Sequence, residues 1–471
     1  MRTLVWFRGK DLRVTDHPPL VRAAHEGELV CLFVLDPYFF SAERARELPH
    51  RMQFMLESIV SLQQNLERLG SRLFVVSGKS TEIVPKLAQR WKVDRVFAHR
   101  WTEPFGQERD RRVAAALRVP LELAEGETML PPGSVRTGAD QPYSVFTPFA
   151  RAFAKLAKSS PARAPSQLPA PPKDVTCDTV EVPTLEALGL APNRNILVGG
   201  ERAARDRLTA FLAGAGERYH LQRDRMDVAG TSRLSVDLKF GTLSVREVWA
   251  RAQASLEGEA KRIFCNELIW REFAHHTLFD RPELLKHPFR KDFEGFPYRD
   301  DESGWRAWTD GKTGVPIVDA SARQLFGEGF VHNRARMISA SFLTKHLTID
   351  FRRGEAHYLK WLTDGDWAQN DAGWQWSAGC GCDAQPYFRV FNPVLQGERF
   401  DPSGDYVRRW LPELARMPAK NIHSPWLAPK DVLQQAGVVL GDSYPTPIVE
   451  LGVGRDRFLA LAKSHVASQR S

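Results

Sequence analysis

The chain has 471 residues, 43% of them hydrophobic and 26% charged, with a formal net charge of +8. That length predicts two or three domains, and no apolar run reaches the roughly 18 residues of a membrane span. Five scattered cysteines, an odd number, argue for a reducing compartment and against a disulfide scaffold. The N-terminus, MRTLVWFRGK, turns polar too soon for a signal peptide. A soluble, cytoplasmic protein is expected. A pI near 9.2 points to a polyanionic partner, and thirteen Trp offer surfaces that stack and can be oxidised.

In chain order, TLVWF (3–7), LVCLFVL (29–35), RLFVV (72–76) and RVFA (95–98) read as buried strands. Between them Met52, Met55, Ile59, Leu62, Leu66 and Leu69 recur at helical spacing, and Gly70 ends the helix. Strand–helix alternation predicts a doubly wound parallel sheet, Rossmann-like, over 1–130. The first strand runs into RGKDLRVTD without G-x-G-x-x-G, so a nucleotide cofactor is expected elsewhere. Residues 131–200 read as a connector, because SSPARAPSQLPAPPKD (159–174) suits neither helix nor strand. From 201 to 471 helical periodicity takes over. The expected fold class is α/β plus all-α.

Three patterns are set aside. DGKTG (310–314) lacks the first glycine of a phosphate loop, Arg306 standing there. Cys380 and Cys382 form a lone C-x-C, a poor metal site. His275 and His276 are adjacent, point about 100° apart on a helix, and read as ordinary helix residues.

Four segments carry chemistry. RYHLQRDRMDVAGTSRLS (218–235) gathers hydroxyls and backbone N–H groups that suit either a diphosphate or a plain helix cap. NELIWREF puts Glu267, Trp270 and Arg271 on one helix face, as an ion pair over an indole or as a site. HNRARM brings Asn333, Arg334 and Arg336 close together. In DGDWAQNDAGWQW a helix would align Asp366, Asn370 and Trp374, an acid, an amide and an indole suited to a polar heterocycle and not to a metal. A buried Asp364 needs a cation, for which Arg336 is a candidate.

These segments, with VWFRGKDLRVTDHPPL, AGTSRLS, GKTGVPIVDA and DAQPYFRVFNPVLQGERFD, resemble the DNA photolyase/cryptochrome family nearly end to end and in family order. The resemblance implies an antenna domain followed by a helical, FAD-binding catalytic domain. It places Tyr219, Thr231, Ser232, Arg233, Leu234 and Ser235 around the FAD diphosphate. Glu267, Arg271, Asn333, Arg336, Asp364 and Asp366 surround the rest of the cofactor, and Asn370 faces flavin N5. The lesion would lie between Trp270 and Trp376, lined by Glu267, Asn333 and Met337, with Arg223, Arg334 and Arg389 on the DNA backbone. Members acting on (6-4) lesions carry paired His where this chain has Asn333 and Met337, so the resemblance is strongest to those that repair cyclobutane pyrimidine dimers.

The implied activity is light-driven repair of UV-damaged DNA by a monomer using FADH⁻, with Glu267, Asn370 and Trp374 catalytic, no metal and no membrane. A cryptochrome-type blue-light receptor is the alternative; Asn370 argues for repair. An antenna of methenyltetrahydrofolate, deazaflavin or flavin, or none, is left open, because Phe105 and Gly106 depart from the folate-binding pattern. The family's three-tryptophan electron wire also departs from its pattern. Trp374 matches its first station, but Phe351 stands at the middle one and Tyr298 near the outer one. Trp367 and Trp361 are read either as a substitute route or as core indoles.

Overall fold

The four predicted strands form, with a fifth, a parallel sheet in a computed structural model that describes residues 1–384 and 386–469. They are β1 (Arg2–Phe7), β2 (Glu28–Leu35), β3 (Leu73–Ser77), β4 (Arg95–His99) and β5 (Leu121–Ala124), in the order β3-β2-β1-β4-β5. Strands covered on both faces read as unbroken apolar runs, and in β2 every residue after Glu28 is buried. β5 escaped the sequence reading because it is short, LELA, and all four of its residues are only half-buried. The periodic segment 52–69 folds as the helix Pro49–Arg68, with Met52, Met55, Ile59, Leu62 and Leu66 buried. Gly70, at φ +88°, ends it.

Contacts divide the chain into two units. The first comprises Met1–Glu217, Ser232–Pro282 and Thr363–Ala368; the second comprises Arg218–Thr231, Glu283–Leu362 and Gln369–Ser471. This grouping cuts across the grouping by element type. The helices Ser235–Phe240, Val245–Ser255 and Gly258–Asp280 share the unit of the sheet. Charge holds them there. Asp16 accepts from Arg246 Nε at 2.9 Å and from the Ser244 hydroxyl, and Glu272 accepts from Met129 N at 3.0 Å. The Pro-rich segment 159–174 forms neither helix nor strand. It is pinned where Ala162 N donates to Asp16 Oδ1 at 2.8 Å and Leu168 N to Leu69 O at 2.7 Å.

The second unit is helical. Glu302–Thr309, Pro316–Glu328, Asn333–Ser341, Phe351–Trp361 and most of Trp367–Ala378 surround a core that includes Trp308, Val318, Leu343, Phe351 and Trp374. A π-helical turn, Phe342–His346, is buried at all five residues. The 310–314 loop folds onto Asp319, which accepts from Thr313 N at 2.7 Å and Gly314 N at 3.0 Å. Those are the donors a phosphate loop would need. Among the described residues no helix is long and apolar enough to cross a membrane.

Candidate functional site

In the first unit, charge gathers around Lys10. Its Nζ lies 2.7 Å from Glu103 Oε1 and 3.5 Å from Asp366 Oδ2 and contacts Glu127, with every side chain almost fully buried. Burial opposes the ammonium, but Glu103, Glu127 and Asp366 outweigh that and raise its pKa above the usual lysine value. Burial likewise opposes the Asp366 carboxylate, yet Lys10, with His275, Lys239 and Arg271, holds its pKa well below the ordinary range. Asp366 is therefore ionised. His275, a buried helix residue, joins this cluster: its Nε2 lies 3.9 Å from Asp366 Oδ1 and its Nδ1 2.8 Å from Thr102 Oγ1. Burial, with Arg271 nearby, lowers its pKa to about 3, so the ring is neutral. His276 points elsewhere, its Nδ1 accepting from Gly133 N at 3.3 Å. Arg271 donates to Glu127 O at 2.6 Å. Nothing in the sequence singles out Lys10 as the partner of Asp366, because the two are separated by most of the chain.

The helix Gly258–Asp280 carries Glu267 and Trp270, both half-buried. The indole of Trp270 stacks on Phe146, with centroids 3.6 Å apart and planes 5° from parallel. Phe146 thus backs one face of a proposed lesion-stacking ring, a role no local motif signals.

Between Gly230 and the helix Ser235–Phe240, Arg233 has φ +53° and Leu234 lies in the right-handed region at φ −81°, ψ −1°. Successive left- and right-handed residues turn backbone N–H groups toward one side and make an anion-binding concavity. With the hydroxyls of Thr231, Ser232 and Ser235 on the same turn, this geometry fits a diphosphate. Gly230 is required there, since a Cβ would meet the backbone of Gln222.

At the carboxyl ends of β1 and β4, where open α/β sheets accept ligands, charged and aromatic side chains gather. Arg109 lies over Trp101 at 4.3 Å and Trp6 at 5.0 Å, and its Nη2 donates to Asp110 at 2.9 Å. Arg8 lies over Trp6 at 4.7 Å and meets the same carboxylate. Gly106 packs against Trp101, and Phe105 stacks on Tyr38 at 4.6 Å.

In the second unit, Asn370 is buried, and its Nδ2 donates to Glu355 O at 3.0 Å. Its Oδ1 is therefore the acceptor end. Trp374 is 4% exposed, with Tyr358 5.1 Å and Trp308 6.0 Å away between centroids. Gly354 makes room for it, because a Cβ there would strike the indole. Phe351 and Tyr298, at the expected middle and outer stations of the wire, are neighbours at 6.5 Å. Trp361 packs on Phe326 at 4.7 Å, and Trp367 is half-buried in the first unit. The helix begins at Trp367, which leaves Asp366 one residue before it.

His332 caps the helix Asn333–Ser341, accepting from Arg334 N at 3.1 Å. Asn333 and Met337 meet through Nδ2 and Sδ at 3.6 Å. Arg334 pairs with Asp224 at 2.7 Å and lies over Phe400 at 4.3 Å. Arg336 donates to Val331 O at 2.8 Å, and Arg223 lies over Tyr219 at 5.6 Å. Trp376 is half-buried and Arg389 exposed.

Comparison with known proteins matches both halves of this arrangement. Residues 3–172 fit the DNA photolyase family model and residues 264–464 the FAD binding domain of DNA photolyase. A deoxyribodipyrimidine photo-lyase of Agrobacterium fabrum is 40% identical over 97% of this chain and 96% of its own. The crystal structure of a class III photolyase from Agrobacterium tumefaciens superposes with a TM-score of 0.91 at 38% identity, covering 99% of this chain and 98% of the other. A Synechocystis cryptochrome gives a TM-score of 0.90 at 29% identity, covering 98% and 99%. With sequence and fold matched across almost the whole length, the chain belongs to the DNA photolyase family.

Proposed function

We propose that the protein repairs cyclobutane pyrimidine dimers in UV-damaged DNA in a light-driven reaction. Asn370 carries this reading: it is buried, its amide nitrogen is committed to the Glu355 carbonyl, and only its oxygen is left to accept. An acceptor amide of fixed orientation favours a flavin protonated at N5 and undergoes no charge change itself. Bound in its reduced, anionic form, FAD supplies the photoexcited electron that opens the cyclobutane ring and takes it back.

The protein's own groups position the reactants. The turn around Arg233 holds the diphosphate, and Asp366, kept ionised by Lys10, supplies a fixed acceptor. Arg223, Arg334 and Arg389 bind DNA phosphates. Trp270, backed by Phe146, and Trp376 stack on the extruded dimer, which is cheaper to flip than a paired base. Glu267 hydrogen-bonds the dimer carbonyls; Glu267→Ala should bind damaged DNA normally and repair it poorly, and an unchanged yield under saturating light would remove that role.

The Synechocystis cryptochrome supports a second reading, a blue-light receptor. Following thymine-dimer content in single-stranded and duplex DNA, in the dark and under blue light, separates the two. Light-dependent loss is expected; none, or loss in the dark, rejects repair.

A further inference from the structure

Phe351 occupies the middle station of the expected electron wire, and phenylalanine is far harder to oxidise than tryptophan. The second unit nevertheless contains a continuous line of indoles. From Trp374 the ring of Trp308 lies 6.0 Å away, and from Trp308 the ring of Trp305 lies 5.4 Å away, stacked at 27°. Trp374 and Trp308 are buried, at 4% and 2% exposure, while Trp305 is half-exposed. The line thus runs from the core to solvent. It lies within one unit and uses two residues on a single short helix, Glu302–Thr309, three positions apart.

We infer that Trp374, Trp308 and Trp305 form the route by which electrons reach the oxidised cofactor under light. The inference rests on the reading of the protein as a flavin-dependent photolyase. Trp374 gives one electron to the photoexcited, oxidised flavin and is refilled by Trp308, which is refilled by Trp305. Oxidised Trp305 loses its indole proton to water and is restored by one electron and one proton from a thiol in solution. Two thiyl radicals so formed couple to a disulfide.

The surroundings give the route its direction. The indole N–H of Trp308 is held by Ser339 O at 3.3 Å in a buried setting, and a peptide carbonyl is no base for its proton, so an oxidised Trp308 passes the hole on. Tyr358, between Trp374 and Trp308 at 5.1 and 5.9 Å, is no competing sink: its hydroxyl meets the hydroxyls of Ser321, at 3.3 Å, and Ser339, and neither is a base. At Trp305 the guanidinium of Arg353 lies 4.5 Å over the ring. A cation there disfavours a radical cation and promotes proton loss to solvent, which traps the hole at the surface. His357 touches both outer indoles, at 5.7 and 5.5 Å, and burial lowers its pKa to about 4, so it adds no second charge at neutral pH.

The test uses the flavin-loaded protein, oxidised, with dithiothreitol as the thiol. Flavin bleaching under blue light and the lifetime of the tryptophan radical by transient absorption are read for wild type, Trp308→Phe and Trp305→Phe. Photoreduction should slow by an order of magnitude in Trp308→Phe, with a radical that decays sooner because the hole stops at Trp374. Trp305→Phe should lose the long-lived deprotonated radical and slow by a lesser factor. Wild-type rates and radical lifetimes in Trp305→Phe overturn the proposal. If Trp308→Phe fails to load flavin, the surface variant decides alone. Absence of dimer repair by dithionite-reduced wild type would reject the functional reading instead, since that assay bypasses the route.

Discussion

Asp366 and Asp371 are both buried, stand five positions apart on one stretch of chain, and respond to burial in opposite ways. Asp366 belongs to the first unit, where Lys10, Lys239 and Arg271 overcome the cost of burial and keep it ionised. Asp371 belongs to the second, where burial raises its proton affinity and an amide, Gln375 Nε2, donates to it at 3.0 Å. Glu355 is raised too, by burial first and then by Asp371 itself. Around Lys10 charge is fixed; around Asp371 a carboxyl prefers its proton. The difference teaches that burial alone does not set the state of an acid. The supply of cations does.

The contrast can be broken most forcefully at Lys10. Lys10→Met leaves Glu103, Glu127 and Asp366 buried without their ammonium, and removing one partner of a buried ion cluster costs about 3–5 kcal/mol. The urea midpoint at neutral pH should fall accordingly; a change within error would show that the cluster is not held by Lys10. The signs of the pH dependence also differ. Asp366, with its pKa depressed, contributes stability present above its unfolded value near 3.9 and lost as pH falls through the folded value. Glu355 and Asp371, with pKa raised, favour the native state below about 4 and lose that contribution as pH rises toward their folded values.

Asp371→Asn should therefore stabilise the protein at about pH 8 by on the order of 2 kcal/mol and have little effect near pH 4. Equal stability change at both pH values would mean that folding does not raise the proton affinity of the carboxyl. A smaller contrast sets two indoles against each other. Trp374 is enclosed by rings, whereas Trp270 stacks on Phe146, and Phe146→Leu should cost about 1 kcal/mol beyond its apolar area while weakening affinity for dimer-containing DNA. Unaltered lesion affinity would detach Phe146 from the site. The smallest effect belongs to Arg334→Gln: its pair with half-exposed Asp224 is worth about 0–1 kcal/mol. The slope of DNA affinity against salt should nonetheless drop by about one counterion, and an unchanged slope would take Arg334 off the phosphate backbone.

The strands and the helix Pro49–Arg68 were legible because unbroken apolar runs and 3.6-residue periodicity are local signals. β5 was not, being four half-buried residues with little periodicity to read. In the site, local patterns placed Glu267, Trp270 and Arg271 together on one helix. They could not announce Lys10 beside Asp366, Phe146 behind Trp270, or Trp308 beside Trp374, since each pair joins residues remote in sequence. His275 looked ordinary because adjacent histidines cannot chelate together, and its partners come from other segments. Trp305 and Trp308 were passed over for a similar reason: a tryptophan at i, i+3 is ordinary helix packing until the ring it faces is known.

Light-driven repair is tested most directly in one sample in which the bound flavin is shown to be reduced and the dimer-containing DNA shown to be bound. A single saturating flash is given, and the dimers lost per flavin are counted. The predicted result is dimer loss in proportion to reduced flavin, with none in the dark control. Bound DNA and reduced flavin with no dimers lost after the flash would contradict it.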